Sequence, residues 1–327
     1  TGIAGLTLGG GFGWLSRKYG LTVDNVTGVE IVTADGQVIE ANESSHPDLF
    51  WAVRGGGGNF GVVTRFDYKL HKVGPDLLSG LVVYPEKEIG KVLRKYREFA
   101  AGLSDNTSVW VVLRQAPPLP FLPEASHGTN VVVLAFCHTG EAKEGEAVIE
   151  KLRSFGEVLG EHTGMMPFVN WQQAFDPLLT PGARNYWKSH NFTEISDGAL
   201  DLAVEYSAKV PTGQCEVFFG QLGGAINRVA PGTTAYPHRD AEFVMNVHCR
   251  WDEAKDDQRC IAWARELFQK MTPHATGGVY INFMPADETD RVQAAYGESW
   301  NRLVKAKQRY DPNNLFRLNQ NISPNGN

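Results

Sequence analysis

The chain has 327 residues, 42% of them apolar and 21% charged, with a formal net charge of −6. That length buries a sizeable core and gives two domains as the prior, and the composition is that of an ordinary globular protein. The acidic balance argues against nucleic acid or an anionic membrane surface as a partner, and no apolar run is long enough to cross a bilayer.

In chain order, TGIAGLTLGGGFG at Thr1 reads neither as a signal peptide nor as a domain start. The sequence is therefore expected to begin inside a domain. VTGVEIVTADGQVIEAN then gives two alternating strands joined by Asp35-Gly36, a hairpin signal. HPDLFWAVR reads as a helix, with Pro47 at its first position and Leu49, Phe50 and Val53 at helical spacing. RGGGGNFG follows and contains a G-x-G-x-x-G match from Gly56 to Gly61, the dinucleotide fingerprint. That fingerprint needs a strand before it and a helix after it. Here a helix precedes and an alternating strand, Val62 to Leu70, follows. This is no Rossmann turn. It is either a loop tip or a backbone brought close to a ligand that the motif leaves unnamed.

VGPD, Val73 to Asp76, is the first plausible boundary. Beyond it, strands are expected at LLSGLVVY, TSVWVVLRQ, TNVVVLAFCH, Gln214 to Gln221 and Glu242 to Trp251. Helices are expected where Ile89, Val92, Leu93, Tyr96 and Phe99 form a stripe, from Glu141 to Phe155, and from Asp256 to Met271. Strand runs followed by helices describe an α+β layer. VYINFM reads as a short strand, and Asp290 to Tyr310 as a helix broken at Gly297. The tail YDPNNLFRLNQNI is rich in turn residues and amides.

No G-x-x-x-x-G-K-[ST], H-E-x-x-H or G-x-S-x-G occurs, so phosphoryl transfer, zinc hydrolysis and serine hydrolysis have no positive support. The nine histidines show no metal spacing, and no metal is expected. Cys137, Cys215, Cys249 and Cys260 form no C-x-x-C and read as small buried apolar residues.

Three blocks, Gly9 to Val26, His46 to Thr64 and Tyr310 to Ile322, resemble the berberine-bridge-enzyme-like group of FAD-linked oxidases, in the vanillyl-alcohol-oxidase superfamily. The resemblance runs the length of the chain. It implies an α+β fold in which part of a PCMH-type FAD-binding domain is interrupted by an inserted substrate domain, an antiparallel sheet covered by helices. On that reading residues 1–72 are the C-terminal portion of the FAD domain, 73–277 the substrate-binding domain, and 278–327 the berberine-like segment returning to the FAD domain. FAD is the implied cofactor, and the family's covalent histidine and cysteine attachment points would precede this sequence.

By the same resemblance, the loop carrying Gly2, Gly5, Gly9, Gly10, Gly11 and Gly13 lies along the flavin and its pyrophosphate. Gly20, Leu21, Asn59, Phe60, Gly61, Val62 and Val63 then line the rest of the dinucleotide by backbone contacts. Stacked glycine N–H groups suit a pyrophosphate. Tyr280, Asn319 and Asn321 match positions near the isoalloxazine, although the two amides would also serve as turn caps.

The chain departs from the pattern at two catalytic positions. The Y-x-N-Y stretch of plant members ends here in Phe283, which has no hydroxyl, and Val244 stands where some relatives carry a glutamate. Tyr280 and His248 remain as catalytic candidates. His248 shares a strand face with Val244 and Asn246, and reads otherwise as a core histidine. Trp110, Trp187 and Phe218 are candidate pocket walls or ordinary core. The expected function is an FAD-dependent oxidase that removes a hydride from an alcohol, sugar or amine and passes electrons to oxygen. The alternative is a truncated, cofactor-free fold without redox activity. Expected partners are a small-molecule substrate, with neither nucleic acid nor membrane, and either a second copy or a separately supplied N-terminal fragment.

Overall fold

The computed structural model of the chain describes residues 2–318 and 320–326. Two compact units emerge. The first holds the residues up to Lys72, Gly223–Ala241 and the chain from Gly277 onward; the second holds Val73–Leu222 and Glu242–Thr276.

In the first unit, β1 (Val26–Val32), β2 (Val38–Asn42) and β3 (Val62–Tyr68) form an antiparallel sheet in the order β2-β1-β3. Asp35-Gly36 makes the expected turn: the Gly36 amide donates to the Thr33 carbonyl, and Val32 pairs with Val38. The helix Pro47–Val53 starts on its proline, where no backbone donor is lost. It buries Leu49, Phe50 and Val53, against Phe60, Leu303 and Ile322 among others. The C-terminal helix is broken as expected: Val292–Tyr296 ends at Gly297, whose φ of +46 a side chain would resist, and Trp300–Tyr310 follows.

Two sequence expectations fail here. VYINFM is not a strand; Ile281–Phe283 is a single 3-10 turn. Consecutive Tyr280 and Ile281 are both buried, which the alternation of a half-exposed strand does not allow. The stretch 223–241, read as part of the insert, belongs to the first unit. It carries no periodic pattern, and its attachment is a long-range ion pair described below.

The second unit is a seven-stranded antiparallel sheet made of β4 (Asp76–Pro85), β5 (Thr107–Gln115), β6 (Asn130–His138), β7 (Gly160–Pro167), β8 (Arg184–Phe192), β9 (Glu216–Gln221) and β10 (Phe243–Trp251). Its order is β7-β4-β6-β5-β9-β10-β8. One row across it, Val82, Leu134, Val111, Phe219 and Met245, lies in register. This row packs into one core with helices Ile89–Ala100, Ala142–Arg153, Asp197–Ser207 and Asp257–Met271. All four cysteines are buried and unpaired.

The neighbouring residues of each strand point to the other face. There Val83, Val133, Val112, Phe218, Asn246 and Ser189 form one row. Arg114, Glu216, His248 and Trp187 form the next.

Candidate functional site

In the first unit, stretches distant in sequence enclose a cavity of about 320 Å³, lined by Gly9, Gly58, Asn59, Asn282, Tyr296 and Gln320 among others. Asn59 ties the walls together. Its Nδ2 donates to the Gly56 carbonyl (2.8 Å), the Gln320 carbonyl (3.1 Å) and the Tyr296 hydroxyl (3.2 Å), and its Oδ1 accepts from the Ile322 amide (2.9 Å). Behind it stands Lys307, fully buried, donating from Nζ to the Asn59 carbonyl (2.9 Å), the Phe316 carbonyl (2.7 Å) and Asp311 Oδ2 (2.5 Å). Asp311 in turn accepts the amides of Leu315 and Phe316. Burial pulls the Lys307 amine down from its ordinary value, and Asp311 only partly restores it. Burial alone would raise Asp311, but Lys307 and the two amides hold its carboxyl below the usual range.

The glycines divide into two kinds. At Gly9, Gly10 and Gly11 an added Cβ would collide with the chain itself: Asn282 Oδ1 at 2.2 Å, the Tyr236 ring at 2.9 Å and Thr22 Oγ1 at 2.5 Å. At Gly2, Gly5, Gly13 and Gly58 nothing lies within 4 Å. Of the residues the resemblance assigned to the cofactor, Gly5, Gly9 and Asn59 line the cavity. Phe60 is packed in the core, and Gly61 sits against the Val32 carbonyl. Val62 is exposed on β3 and Val63 is half-buried beside it. Gly20 lies against Asp24, and the amide of the buried Leu21 donates to that carboxylate (2.8 Å). Asn321 has a buried Oδ1 with no partner among the described residues, and Asn319 lies outside them.

Tyr280 is buried between aromatic edges, Phe12 and Phe283 each 5.1 Å away between centroids. Its Oη accepts from the Gly11 amide (3.1 Å) and from Asn282 Nδ2 (2.9 Å). Burial pushes the phenol up, and these donors only partly counter it. Tyr280 is a neutral phenol at neutral pH, a hydrogen-bond donor and not a base.

In the second unit, the face of the sheet opposite the four helices carries a recess of about 230 Å³, lined by Trp110, Phe218, Leu119, Phe175 and Leu179 among others. Trp110 and Phe218 meet edge to face at 5.4 Å. Along the same face Glu216 Oε2 accepts from Arg114 Nη1 at 2.9 Å, and its Oε1 lies 3.3 Å from His248 Nδ1. Burial would raise Glu216, but His248 and Arg114 outweigh it and hold the carboxyl below its ordinary range. Four buried atoms on β8 and β10 find no partner among the described residues: Asn191 Oδ1 and Nδ2, Asn246 Oδ1 and His248 Nε2. Each buried, unpaired polar group costs about 1–3 kcal/mol unless something else satisfies it. Val244 lies in this face and offers no titratable group. The two catalytic candidates thus lie in different units, Tyr280 in the first and His248 in the second.

Sequence reasoning missed Lys307, Tyr296, Asn282 and Arg239. One signal was present: Lys307 follows Leu303 by four residues and precedes Tyr310 by three, so it belongs to the helix's buried stripe.

The family model for berberine and berberine-like proteins matches residues 279–323, and an FAD-binding-domain model matches residues 1–42. An FAD-linked oxidoreductase of Dictyostelium discoideum is 31% identical over 326 residues, 99% of this chain and 69% of that protein. The (R)-6-hydroxynicotine oxidase of Paenarthrobacter nicotinovorans is 29% identical over 341 residues, 99% of this chain and 71% of that protein. The solved structure of BBE-like 1 from Physcomitrella patens shares the fold, with a TM-score of 0.85 at 23% identity over 98% of this chain and 70% of that one. The chain belongs to the berberine-bridge-enzyme-like family of FAD-linked oxidoreductases. FAD is its cofactor, and the fold is the mixed α/β, PCMH-type architecture of that family. The first unit fits such a group: a cavity partly floored by glycine, walled by the amides of Asn59, Asn282 and Gln320, with the Asn321 acceptor unsatisfied nearby in sequence.

Proposed function

We propose that the chain oxidises a small alcohol, sugar or amine at a C–H bond, with dioxygen as the electron acceptor. The first unit would hold FAD through Gly5, Gly9, Gly58, Asn59 and the C-terminal amides, and the face of the second unit's sheet opposite the four core helices would hold the substrate. One observation supports this most: buried polar side chains on one face of the sheet, Asn191, Asn246 and His248, carry atoms without a partner among the described residues, and the same face holds an apolar recess. Small-molecule sites combine these two properties.

FAD, when bound, supplies the hydride acceptor. The protein's part is orientation and proton transfer. With the imidazole proton on Nδ1 and donated to Glu216, His248 keeps a buried Nε2 lone pair that has no partner among the described residues. That lone pair takes the substrate's hydroxyl or ammonium proton as the C–H bond gives up its hydride. Asn191 and Asn246 hold the polar end of the substrate, and the Trp110–Phe218 recess holds its apolar part. Tyr280, whose oxygen already accepts two hydrogen bonds, has its own proton to donate. The 29% identical relative is named for 6-hydroxynicotine, so cyclic amines are the first class to try.

The test starts from the absorbance spectrum of the purified chain with added FAD. Anaerobic mixing with a cyclic amine and with an arylmethanol should bleach the flavin band for one of them. His248→Gln should keep the bound-flavin spectrum and slow bleaching by about 10²–10⁴-fold. A chain that takes up no FAD, or a His248→Gln variant as fast as the parent, would sink the respective part of this reading.

A further inference from the structure

The stretch 223–241 leaves the end of β9, runs through the first unit and returns to the start of β10. Its neck is closed by the Leu222 amide donating to the Glu242 carbonyl at 2.8 Å. Within the first unit it touches three separate loops that carry the glycines. Arg239 makes a two-point ion pair with Asp24, Nη1 to Oδ2 at 2.8 Å and Nη2 to Oδ1 at 2.7 Å, with both side chains more than nine-tenths buried. The same Asp24 Oδ2 accepts the Leu21 amide, so this pair fixes the turn at Gly20. Tyr236 lays its ring where a Cβ of Gly10 would be, and its amide donates to the Arg54 carbonyl at 3.3 Å. Gly55 passes so close that its Cβ would lie 2.2 Å from the Tyr236 nitrogen. The Trp51 indole donates to the Gly232 carbonyl at 2.8 Å, adding a fourth tie. Arg239 also donates to Thr234 Oγ1 and lies 5.2 Å from the Tyr236 ring centre, so the contacts to different loops are braced against one another.

We infer that 223–241 is a strap that sets the glycine loops at 9–13, 20–25 and 54–58 as one body, with Arg239 and Tyr236 as its positioning residues. No regular ladder holds these loops, although they also meet directly: the Thr22 and Val23 amides donate to the Gly11 and Gly10 carbonyls at 2.8 and 3.0 Å, and the Gly57 amide to the Leu8 carbonyl at 3.0 Å. A buried, two-point Arg–carboxylate pair keeps a fixed geometry that a lysine would not reproduce. The consequence for cofactor affinity rests on the proposed flavin role of the first unit; the ordering of the loops does not.

The test is site-resolved amide exchange on the full chain without cofactor, followed by FAD titration. Arg239→Met leaves Asp24 buried without its partner, so Asp24→Asn/Arg239→Met is made beside it, removing both charges. In a variant that keeps the parent's circular dichroism, exchange should quicken by about tenfold or more in all three loops, including 9–13 and 54–58, which Arg239 does not touch. Helix Trp300–Tyr310 should exchange as before. Tyr236→Ala should quicken 9–13 and 54–58, which Tyr236 touches, and reach 20–25 through the Gly10 and Gly11 carbonyls. Where the parent binds FAD, affinity should fall about tenfold with little change in the melting of the helices. Faster exchange confined to 20–25, or to 20–25 and the directly bonded 9–13, overturns the strap, as does uniform loss of protection across the first unit in both Arg239 variants. A parent that binds no FAD but shows the three-loop response refutes the cofactor reading and leaves the strap standing.

Discussion

Lys307 keeps its charge where solvent does not reach it, and three oxygens account for its three protons. Removing one member of such a buried pair strands the other. Lys307→Met should therefore cost about 3–5 kcal/mol, a large part of a domain's stability, and adding Asp311→Asn should recover some of it. Urea unfolding of the three proteins measures both effects. His238 makes a pH prediction. Burial lowers its imidazole below the ordinary value of 6.5, and the hydrogen bond to the Ala295 carbonyl only partly offsets that. The folded state thus binds fewer protons than the unfolded one. This contribution is complete above about pH 6.5 and is lost as pH falls through the depressed folded value. The first unit's melting temperature should drop between pH 7.5 and 5, and His238→Gln should flatten that slope. A slope unchanged in the variant would assign it to other groups. At this scale the sequence was hard to read: a lysine is taken as outward by its charge, although its place in the Leu303–Tyr310 stripe said otherwise.

Elements with a period were legible, and elements defined by their partners were not. The hairpin at Asp35-Gly36, the helix starting at Pro47 and the apolar strands β4, β5 and β6 follow from local chemistry. Of β8, RNYWKSHNF, only Trp187 reads as lying on a strand, because its buried half is mostly polar: Lys188, Ser189, His190 and Asn191 are all buried, in a strand that pairs with β10 along its whole length. VYINFM misled in the opposite sense, with strand-forming residues and no strand to pair with. The glycine loops were read as backbone close to a ligand, but several glycines are required by the chain's own side chains. That distinction is testable. Gly10 has φ +124 and faces the Tyr236 ring, so Gly10→Ala should destabilise by about 1–3 kcal/mol. Gly58 has open space and lines the cavity, so Gly58→Ala should leave the melting temperature level or slightly raised and still weaken FAD. Equal effects of the two on stability would remove the division.

At the scale of the molecule, the second unit is made of two chain segments, yet the break between them is only as wide as a hairpin. Gln221 pairs with Phe243 in β9 and β10, and Leu222 and Glu242 are already bonded beyond them. Replacing 223–241 with Asn-Gly would leave two antiparallel strands and a two-residue turn, a connection whose twist suits them. The seven-stranded sheet and its four helices have their own core, Val82, Val111, Phe219 and Met245 against Leu93, Leu152 and Leu267, which draws nothing from the excised stretch. The fragment 73–276 with that replacement should therefore unfold in one cooperative urea transition. In the full chain the same excision should spare this transition and lower the other, because the first unit loses the Arg239–Asp24 pair and the Tyr236 packing while the second loses only a loop. A fragment that never folds would mean that the sheet depends on the first unit for more than the ends of its strands. An excised chain in which both transitions persist unchanged would mean that the first unit does not need the segment that lies among its glycine loops.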